Sequence, residues 1–161
     1  MERLSKADLQ QQMSQGRTAL EAALAGLSEA WMLEAGVVGA WSVKDLLGHM
    51  AFWAQEAAKN TEFVKAGQQD QIVRPDTSKT LDRWNAREQR LRAGRSLGEV
   101  RYELEESHQR ALAALAGLPE EMLSLNLNGG MFLELYALDT YDHYREHTDH
   151  ILAWRKRRED T

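Results

Sequence analysis

The sequence contains no cysteine among its 161 residues. This absence excludes disulfide bonds, thiolate metal sites and a cysteine nucleophile, so thiol chemistry would need a thiol from another molecule. Prolines are also scarce. The chain has only Pro75 and Pro119, and neither interrupts a segment with helical periodicity. Alternation of apolar and polar residues, the pattern of a half-buried strand, is nearly absent as well.

Long apolar runs are missing too. No run approaches the roughly 20 residues that a helix needs to cross a bilayer. The N-terminal stretch MERLSKADLQ is polar from its start and does not resemble a signal peptide. We therefore expect a soluble, cytoplasmic protein without a membrane partner. The formal net charge of −5 also predicts no nucleic-acid partner, because binding to phosphates favours a basic surface.

The chain does have the material for a hydrophobic core. Hydrophobic residues make up 43% of it, and it contains five Trp and six Met. This composition is typical of folded proteins rather than disordered ones. The length fits one domain, since domains are usually about 100–150 residues long, and we expect a single domain over residues 1–161.

Four long segments have the apolar spacing of amphipathic helices. They run over about residues 5–27, 42–66, 96–116 and 131–157. A shorter segment, 79–93, is expected to be partly helical, with Leu81, Trp84 and Leu91 pointing inward. Residues 126–130, NLNGG, are interpreted as a loop, because the flanking segments do not alternate like strands.

Helix start signals support these boundaries. Ser5, Ser42 and Ser96 each stand at the beginning of a periodic segment, where a serine hydroxyl can cap the free N–H groups of the first turn. Asp45 and Glu99 follow three residues after Ser42 and Ser96, the position of the acidic partner in a capping box. Four such helices predict an all-α fold, a four-helix bundle. The long connection between the second and third helices allows an overhand crossing.

The histidines are concentrated near the end of the chain. Three of the five lie in the ten residues YDHYREHTDH, 141–150. At about 100° per residue, His143 and His147 fall on the apolar stripe of the last helix, and His150 falls at its edge beside Asp139. His49 falls on the margin of the apolar stripe of the second helix.

A core histidine on one helix and an i, i+4 pair on another can hold one divalent metal ion. Three neutral imidazoles on one side of an ion leave positions open for water or substrate. Buried histidines without a metal are usually hydrogen-bonded core residues, and an i, i+4 pair also suits a polar face. Three imidazoles in an apolar bundle would be costly without partners, which favours the metal if His49 faces the pair.

Two motifs resemble the DinB-like superfamily. The stretch GAWSVKDLLGHMAFW, residues 39–53, is similar to the second-helix signature of that family, with a histidine seven residues after the Ser of the helix start. HYREH, residues 143–147, resembles the family's His-x-x-x-His pair on the last helix. The resemblance covers nearly the whole chain in helix order and length. It implies an up-down-down-up bundle, a homodimer, and His49, His143 and His147 as metal ligands.

The resemblance also implies a class of chemistry. Some relatives resemble thiol-dependent S-transferases, so we expect a metal-dependent enzyme that acts on a small-molecule substrate with a low-molecular-weight thiol as cosubstrate; a hydrolase is the second version. Zinc is the first expectation for the ion, although nickel, iron and manganese also accept imidazole ligands. Two non-enzymatic alternatives are a metal-free resistance or sequestration protein and a dimeric stress-related bundle with a structural metal. Relatives that resemble resistance proteins depart from the histidine triad, which counts against the former.

Other residues have weaker claims to the site. Glu56, seven residues after His49, is the one catalytic candidate; it would orient a ligand or act as a base, or it is a solvated helix residue. Asp139 is placed to accept the second ring N–H of His143, or it is an ordinary surface residue. His150 is either an outer hydrogen-bond partner of the site or a surface residue.

Overall fold

The computed structural model describes residues 4–161, so Met1 to Arg3 of the expected domain lie outside the described part. Seven α-helices occur in this range: α1 Lys6–Leu24, α2 Glu29–Met32, α3 Val43–Lys65, α4 Ser78–Arg92, α5 Leu97–Ala116, α6 Phe132–Asp139 and α7 Tyr141–Glu159. Short 3₁₀ turns follow α3, at Gln69–Gln71, and α5, at Glu120–Ser124. Two strands of two residues each, β1 Asn126–Leu127 and β2 Gly130–Met131, precede α6.

Helices α3 and α5 lie side by side and run in the same direction. Gln55 of α3 donates to the Ser107 hydroxyl of α5 at 3.0 Å. Seven residues further along α3, Glu62 pairs with Arg110 of α5 at 2.8 Å. Because the partners advance together along both helices, α3 and α5 are parallel, as the overhand connection allows.

Helix α1 runs against this pair. Arg17 of α1 pairs with Glu105 of α5 at 3.2 Å, and Glu21 of α1 pairs with Arg101 of α5 at 2.8 Å. As the residue number increases along α1, the residue number of its partner in α5 decreases, so the two helices are antiparallel. Helices α1, α3 and α5 therefore run up, down and down.

Helix α7 returns alongside α1. Gly16 of α1 lies against the Tyr144 side chain of α7, and a Cβ at Gly16 would stand 3.3 Å from that ring. Further along, Arg155 donates to the Ala23 carbonyl at 2.8 Å. The two helices are parallel, and the predicted all-α, up-down-down-up four-helix bundle is confirmed.

The core lies between the four long helices, and the predicted helix starts frame it. Ser5, Ser42 and Ser96 each accept a hydrogen bond from the backbone N–H three residues later. Each such cap stabilises a helix by about 1 kcal/mol. The large side chains without solvent exposure come from all four long helices: Leu9, Met13, Leu20, Leu46, Leu47, Met50, Leu104, Leu115, Tyr144 and Ile151.

The prediction that Leu81 and Leu91 point inward is wrong, whereas the ring of Trp84 packs against two aromatic side chains of α3, with centroids 6.3 Å apart in each pair. Leu81 is 37% exposed and Leu91 is 63% exposed. The buried residues of α4 are Glu88 and Arg92, and Arg92 donates both to Glu88 and to Glu103 of α5. The helix is therefore held by charge-assisted hydrogen bonds, and its leucines are left on the outside.

The predicted continuous helix over 131–157 is wrong at one point. It is divided at Thr140, whose hydroxyl donates to the carbonyl of Tyr136 at 2.6 Å and whose backbone leaves the helical region, with φ −126° and ψ −101°. A threonine hydroxyl that bonds the preceding turn favours such a bend. The break ends α6 at Asp139 and starts α7 at Tyr141, shortly before His143.

The predicted loop at 126–130 is instead a short hairpin. Asn126 pairs with Met131, and Leu127 pairs with Gly130. Asn128 and Gly129 form the two-residue turn, and Gly129 has a φ of 110°, a conformation that favours glycine. Strands of two residues are too short to show the alternation that identifies strands in a sequence.

Within residues 4–161 no helix combines the length and apolar character that crossing a membrane requires.

One prediction concerns the buried histidine of α5. The Nδ1 of His108 lies 3.2 Å from the Tyr144 hydroxyl, and burial, with a smaller effect of the Arg17 charge, lowers the pKa of His108 from 6.5 to about 4. The unfolded chain binds this proton near pH 6.5 and the folded chain near pH 4, so stability falls as pH drops through this window. Replacing His108 by Asn keeps a polar atom near Tyr144 without a titrating group.

The free energy of unfolding of His108→Asn should therefore fall less steeply between about pH 6 and pH 5, by up to about 1.4 kcal/mol per pH unit. Denaturant unfolding at a series of pH values measures this slope. Gln15→Asn, at an exposed position of α1, is the control and should keep the parent slope. Equal slopes for the parent and His108→Asn would contradict the assignment.

Candidate metal centre

The antiparallel contact between α3 and α7 brings three histidines together. The Nε2 atom of His143 lies 2.8 Å from Nε2 of His49 and 2.9 Å from Nε2 of His147. One ring nitrogen from each residue lies within 4.8 Å of the others. The prediction that His49 faces the pair on the last helix therefore agrees with the geometry. We call His49, His143 and His147 the histidine trio.

Hydrogen bonds within the trio cannot satisfy all three rings. A neutral imidazole has one N–H and one lone pair, so Nε2 of His143 can donate to one neighbour or accept from one, but it cannot bond both in the ordinary way. The Nδ1 atoms of His49 and His143 are buried and have no hydrogen-bond partner among the described residues. Three Nε2 lone pairs directed at one ion would remove the conflict at Nε2, so the donor set fits a divalent cation.

The surroundings keep the trio neutral. Burial, followed by the neighbouring His147, lowers the pKa of His49 from 6.5 to about 3. Burial, with smaller effects of His49 and His147, lowers the pKa of His143 well below its usual value. Burial and the adjacent His150 lower the pKa of His147 to about 4. Neutral imidazole is the form that binds a metal ion, so no proton has to leave near neutral pH.

The trio lies at the wall of an open cleft of about 850 Å³. A volume of this size is in the range of sites for small organic molecules. Apolar side chains supply part of the lining: Trp53, Ile72, Pro75, Leu81, Leu135 and Leu138. Polar and charged side chains supply the rest, apart from the histidines: Arg74, Asp76, Thr77, Ser78, Asn85, Asn128, Asp139 and Glu146.

A buried ion pair forms part of the cleft wall. Arg74, from the segment between α3 and α4, donates two hydrogen bonds to the carboxylate of Asp139 at 2.5 and 2.9 Å. Burial raises the pKa of Asp139, and the hydrogen bonds from Arg74 oppose that rise. The pair ties the segment before α4 to the end of α6, so it fixes the shape of the cleft beside the trio.

The weaker candidates are distributed differently. Glu56 is buried and pairs with Lys59 at 2.5 Å; it does not line the cleft. Asp139 lines the cleft, but it bonds Arg74 and does not meet the free Nδ1 of His143. The structure does bring His150 to the trio, with its Nδ1 atom 3.1 Å from Nδ1 of His147.

Three charged residues of the cleft are missed by reasoning from the sequence, and two of them, Arg74 and Asp76, lie in the connection between α3 and α4. Arg74 lies in a connection with no periodicity, so no pattern places it near the last helix. Glu146 lies on α7 one residue before His147, and it lines the cleft as an exposed carboxylate. The helical wheel contains this signal, since Glu146 is three residues from His143 and shares its side of α7.

The second and third long helices of this four-helix bundle are joined by an overhand connection, and three histidines converge from α3 and α7. This combination defines a class of helical proteins with a candidate metal site. The sequence profile of the DinB superfamily matches residues 12–154. The chain therefore belongs to the DinB superfamily, and the resemblance seen in its motifs is confirmed. No curated protein sequence matches the chain.

Solved structures show the same fold at low sequence identity. ClbS, a colibactin self-resistance protein crystallised in complex with a dsDNA, is 15% identical with a TM-score of 0.83, covering 97% of this chain and 98% of that chain. DfsB, described as a sibling lethal factor precursor, is 14% identical with a TM-score of 0.81, covering 98% of both chains. An uncharacterised protein from Escherichia coli UTI89 is 14% identical with a TM-score of 0.80, covering 98% of this chain and 96% of that chain.

One expectation about partners is overturned by these structures. The acidic net charge predicts no nucleic-acid partner, but ClbS shares this fold and is crystallised with a dsDNA. The prediction that excludes a nucleic-acid partner is therefore wrong. Its physical weakness is that net charge sums over the whole chain, whereas phosphates contact one face of a protein.

The Arg74–Asp139 pair leads to a stability prediction. Asp139→Asn removes the charge of one partner and leaves Arg74 in a largely buried position, so it should lower the free energy of unfolding by about 3 kcal/mol. Asp142→Asn makes the same change in an exposed pair with Arg145 and should cost under about 1 kcal/mol. Denaturant unfolding compares the two variants. Equal effects would contradict the structural role of the buried pair.

Proposed function

We propose that this protein is a divalent-metal-dependent enzyme that acts on a small molecule in the 850 Å³ cleft. His49, His143 and His147 would hold the ion through their Nε2 atoms. The observation that carries the proposal is the convergence of three neutral imidazoles, from two helices, at the wall of that cleft. Structural metal sites usually have four protein ligands, whereas three ligands beside an open cleft are typical of catalytic sites.

The class of reaction is the one that the family resemblance implies, and the donor set suits it. A bound divalent ion lowers the pKa of a thiol or a water molecule that coordinates it, which supplies a nucleophile near neutral pH. Since the chain has no cysteine, the thiol would come from a low-molecular-weight cosubstrate. The reaction we propose is a substitution. The thiol gives up its proton to a base of the cleft, its sulfur forms a bond to the electrophilic carbon of a small molecule, and the leaving group departs from that carbon with the electrons of the broken bond. Hydrolysis of a small molecule is the alternative.

The residues of the cleft would position the reactants. Trp53, Leu135 and Leu138 offer apolar surface to the organic part of an electrophile. Trp53 donates through Nε1 to the side-chain oxygen of Asn85 at 3.0 Å, so the ring and the amide hold each other in place. Glu146, an exposed carboxylate of the cleft one residue before His147, would accept a proton from an incoming thiol or water.

The proposal is tested with protein purified without an affinity tag. Metal analysis should find a divalent ion at one per chain, with zinc the first expectation. Glutathione consumption with 1-chloro-2,4-dinitrobenzene and other electrophiles should be faster with the zinc-loaded protein than with chelator-treated protein. His143→Ala should lower zinc affinity more than about 100-fold, since loss of an outer partner alone costs about 10–100-fold, and should reduce turnover to the uncatalysed rate.

His108→Asn is the matched control, because it changes a buried histidine outside the trio and should keep zinc affinity and turnover. Zinc binding without turnover of any thiol or ester substrate, together with a large loss of thermal stability on zinc removal, would favour a structural metal instead. Failure of the tag-free protein to bind any divalent ion would overturn the proposal.

A second candidate function is protection against a reactive metabolite at DNA. Its support is the fold shared with ClbS, and the fold alone is what that likeness shows. The chain has one concentrated basic cluster, residues 155–158. Arg155 donates to backbone carbonyls at the end of α1 and Arg158 stacks over Trp31, so Lys156 and Arg157 are the exposed members.

Fluorescence anisotropy with a labelled DNA duplex, at several salt concentrations, tests this candidate. If this cluster binds phosphates, the double variant Lys156→Gln/Arg157→Gln should bind more weakly. The slope of the logarithm of its binding constant against the logarithm of the salt concentration should be less negative by about 0.9 for each phosphate that is no longer neutralised. Lys65→Gln, far along α3, is the control. Duplex binding that is unchanged in the double variant would place the DNA surface elsewhere, and no binding at low salt would reject the DNA role.

A further inference from the structure

The Nδ1 atoms of the trio differ in whether they have a hydrogen-bond partner. In each ring, Nε2 faces the other two histidines and Nδ1 faces away from them. The Nδ1 atoms of His49 and His143 have no hydrogen-bond partner among the described residues. The Nδ1 atom of His147 has one, the Nδ1 atom of His150 at 3.1 Å.

This contact has a defined polarity when a metal ion is bound. If Nε2 of His147 gives its lone pair to the ion, the single proton of the neutral ring is on Nδ1, and His147 must be the donor. His150 must then accept with its Nδ1 lone pair and hold its own proton on Nε2. His150 is half-exposed, so that proton can be solvated by water.

We propose that His150 is a positioning residue for the metal site. Its Nδ1 accepts the hydrogen bond of His147 and so holds that ring in the tautomer whose Nε2 lone pair faces the ion. This inference rests on the proposed metal site. Outer acceptors of this kind fix the orientation of ligating histidines, and a carboxylate or a carbonyl is the common choice. Here a neutral imidazole takes that place, so no negative charge is added beside the site.

The position of His150 on α7 supports this role. It is three residues after His147, one helical turn along the same side, so the helix itself sets the distance between the two rings. The rings are tilted at 43° with centroids 5.3 Å apart, which excludes a parallel stack and leaves the Nδ1 atoms as the point of contact. His150 does not line the cleft, so substrate binding does not require it.

Zinc affinity of the tag-free protein, measured by competition with a chromophoric chelator, tests the inference. His150→Ala removes the acceptor and should weaken zinc binding by about 10–100-fold. His150→Asn places a side-chain oxygen where Nδ1 stands, since both atoms are attached to Cγ, and it should recover most of the lost affinity. Leu152→Ala, an exposed substitution two residues further on α7, should leave the affinity unchanged.

A second measurement separates positioning from packing. In ¹⁵N-labelled, zinc-loaded protein, the ring signals of His147 should show a slowly exchanging proton on Nδ1, and this proton should exchange faster in His150→Ala. His150→Phe keeps ring volume without an acceptor, so it should bind zinc as weakly as His150→Ala. Parent-like affinity in His150→Phe would show that the ring only packs, and would overturn the inference.

The two proposals fail in different ways. Zinc binding by the parent with less than about a twofold loss in His150→Ala would overturn the role of His150 and leave the metal site intact, since an outer partner should be worth far more. Absence of zinc binding by the parent would overturn the metal site, and the role of His150 with it.

Discussion

The antiparallel contact between α3 and α7 is the constraint on which the site depends. It places the Nε2 atoms of His49 and His143 2.8 Å apart, although 94 positions separate the two residues. Neither helix could form the site alone, because α3 supplies one imidazole and α7 supplies two. The break at Thr140 starts α7 at Tyr141, two residues before His143.

Burial gives that contact its chemical character. Apolar neighbours remove water from the imidazoles, which lowers their pKa values and leaves their lone pairs available near neutral pH. Trp41 contributes to this shielding, with the centre of its ring 5.1 Å from the centre of the His49 ring in an edge-on arrangement. Within the trio, the three crowded Nε2 atoms cannot all be satisfied by hydrogen bonds to one another, which makes their burial costly. A divalent ion bound through the three Nε2 lone pairs would remove this conflict, which is why we propose it.

The sequence predicts the helices and the set of converging histidines better than the individual contacts between elements. The spacing of leucines and the serine caps identify the long helices, because amphipathic periodicity and capping are local properties. The family motifs single out His49, His143 and His147, and the structure brings them together. The burial of Leu81 and Leu91 is predicted wrongly because Arg92 of α4 is turned inward to bond Glu103 of α5. No local sequence pattern encodes this contact between two helices. Arg74 is missed for the same reason, since its partner Asp139 is 65 residues away.

The central claim is that the trio binds one ion through three imidazole nitrogens, and X-ray absorption spectroscopy of the zinc-loaded, tag-free protein tests it most directly. We expect about three nitrogen ligands at roughly 2.0 Å, with the multiple-scattering signature of imidazole, and the loss of this signature in His49→Ala. A zinc edge spectrum without imidazole scattering, or one unchanged in His49→Ala, would contradict it.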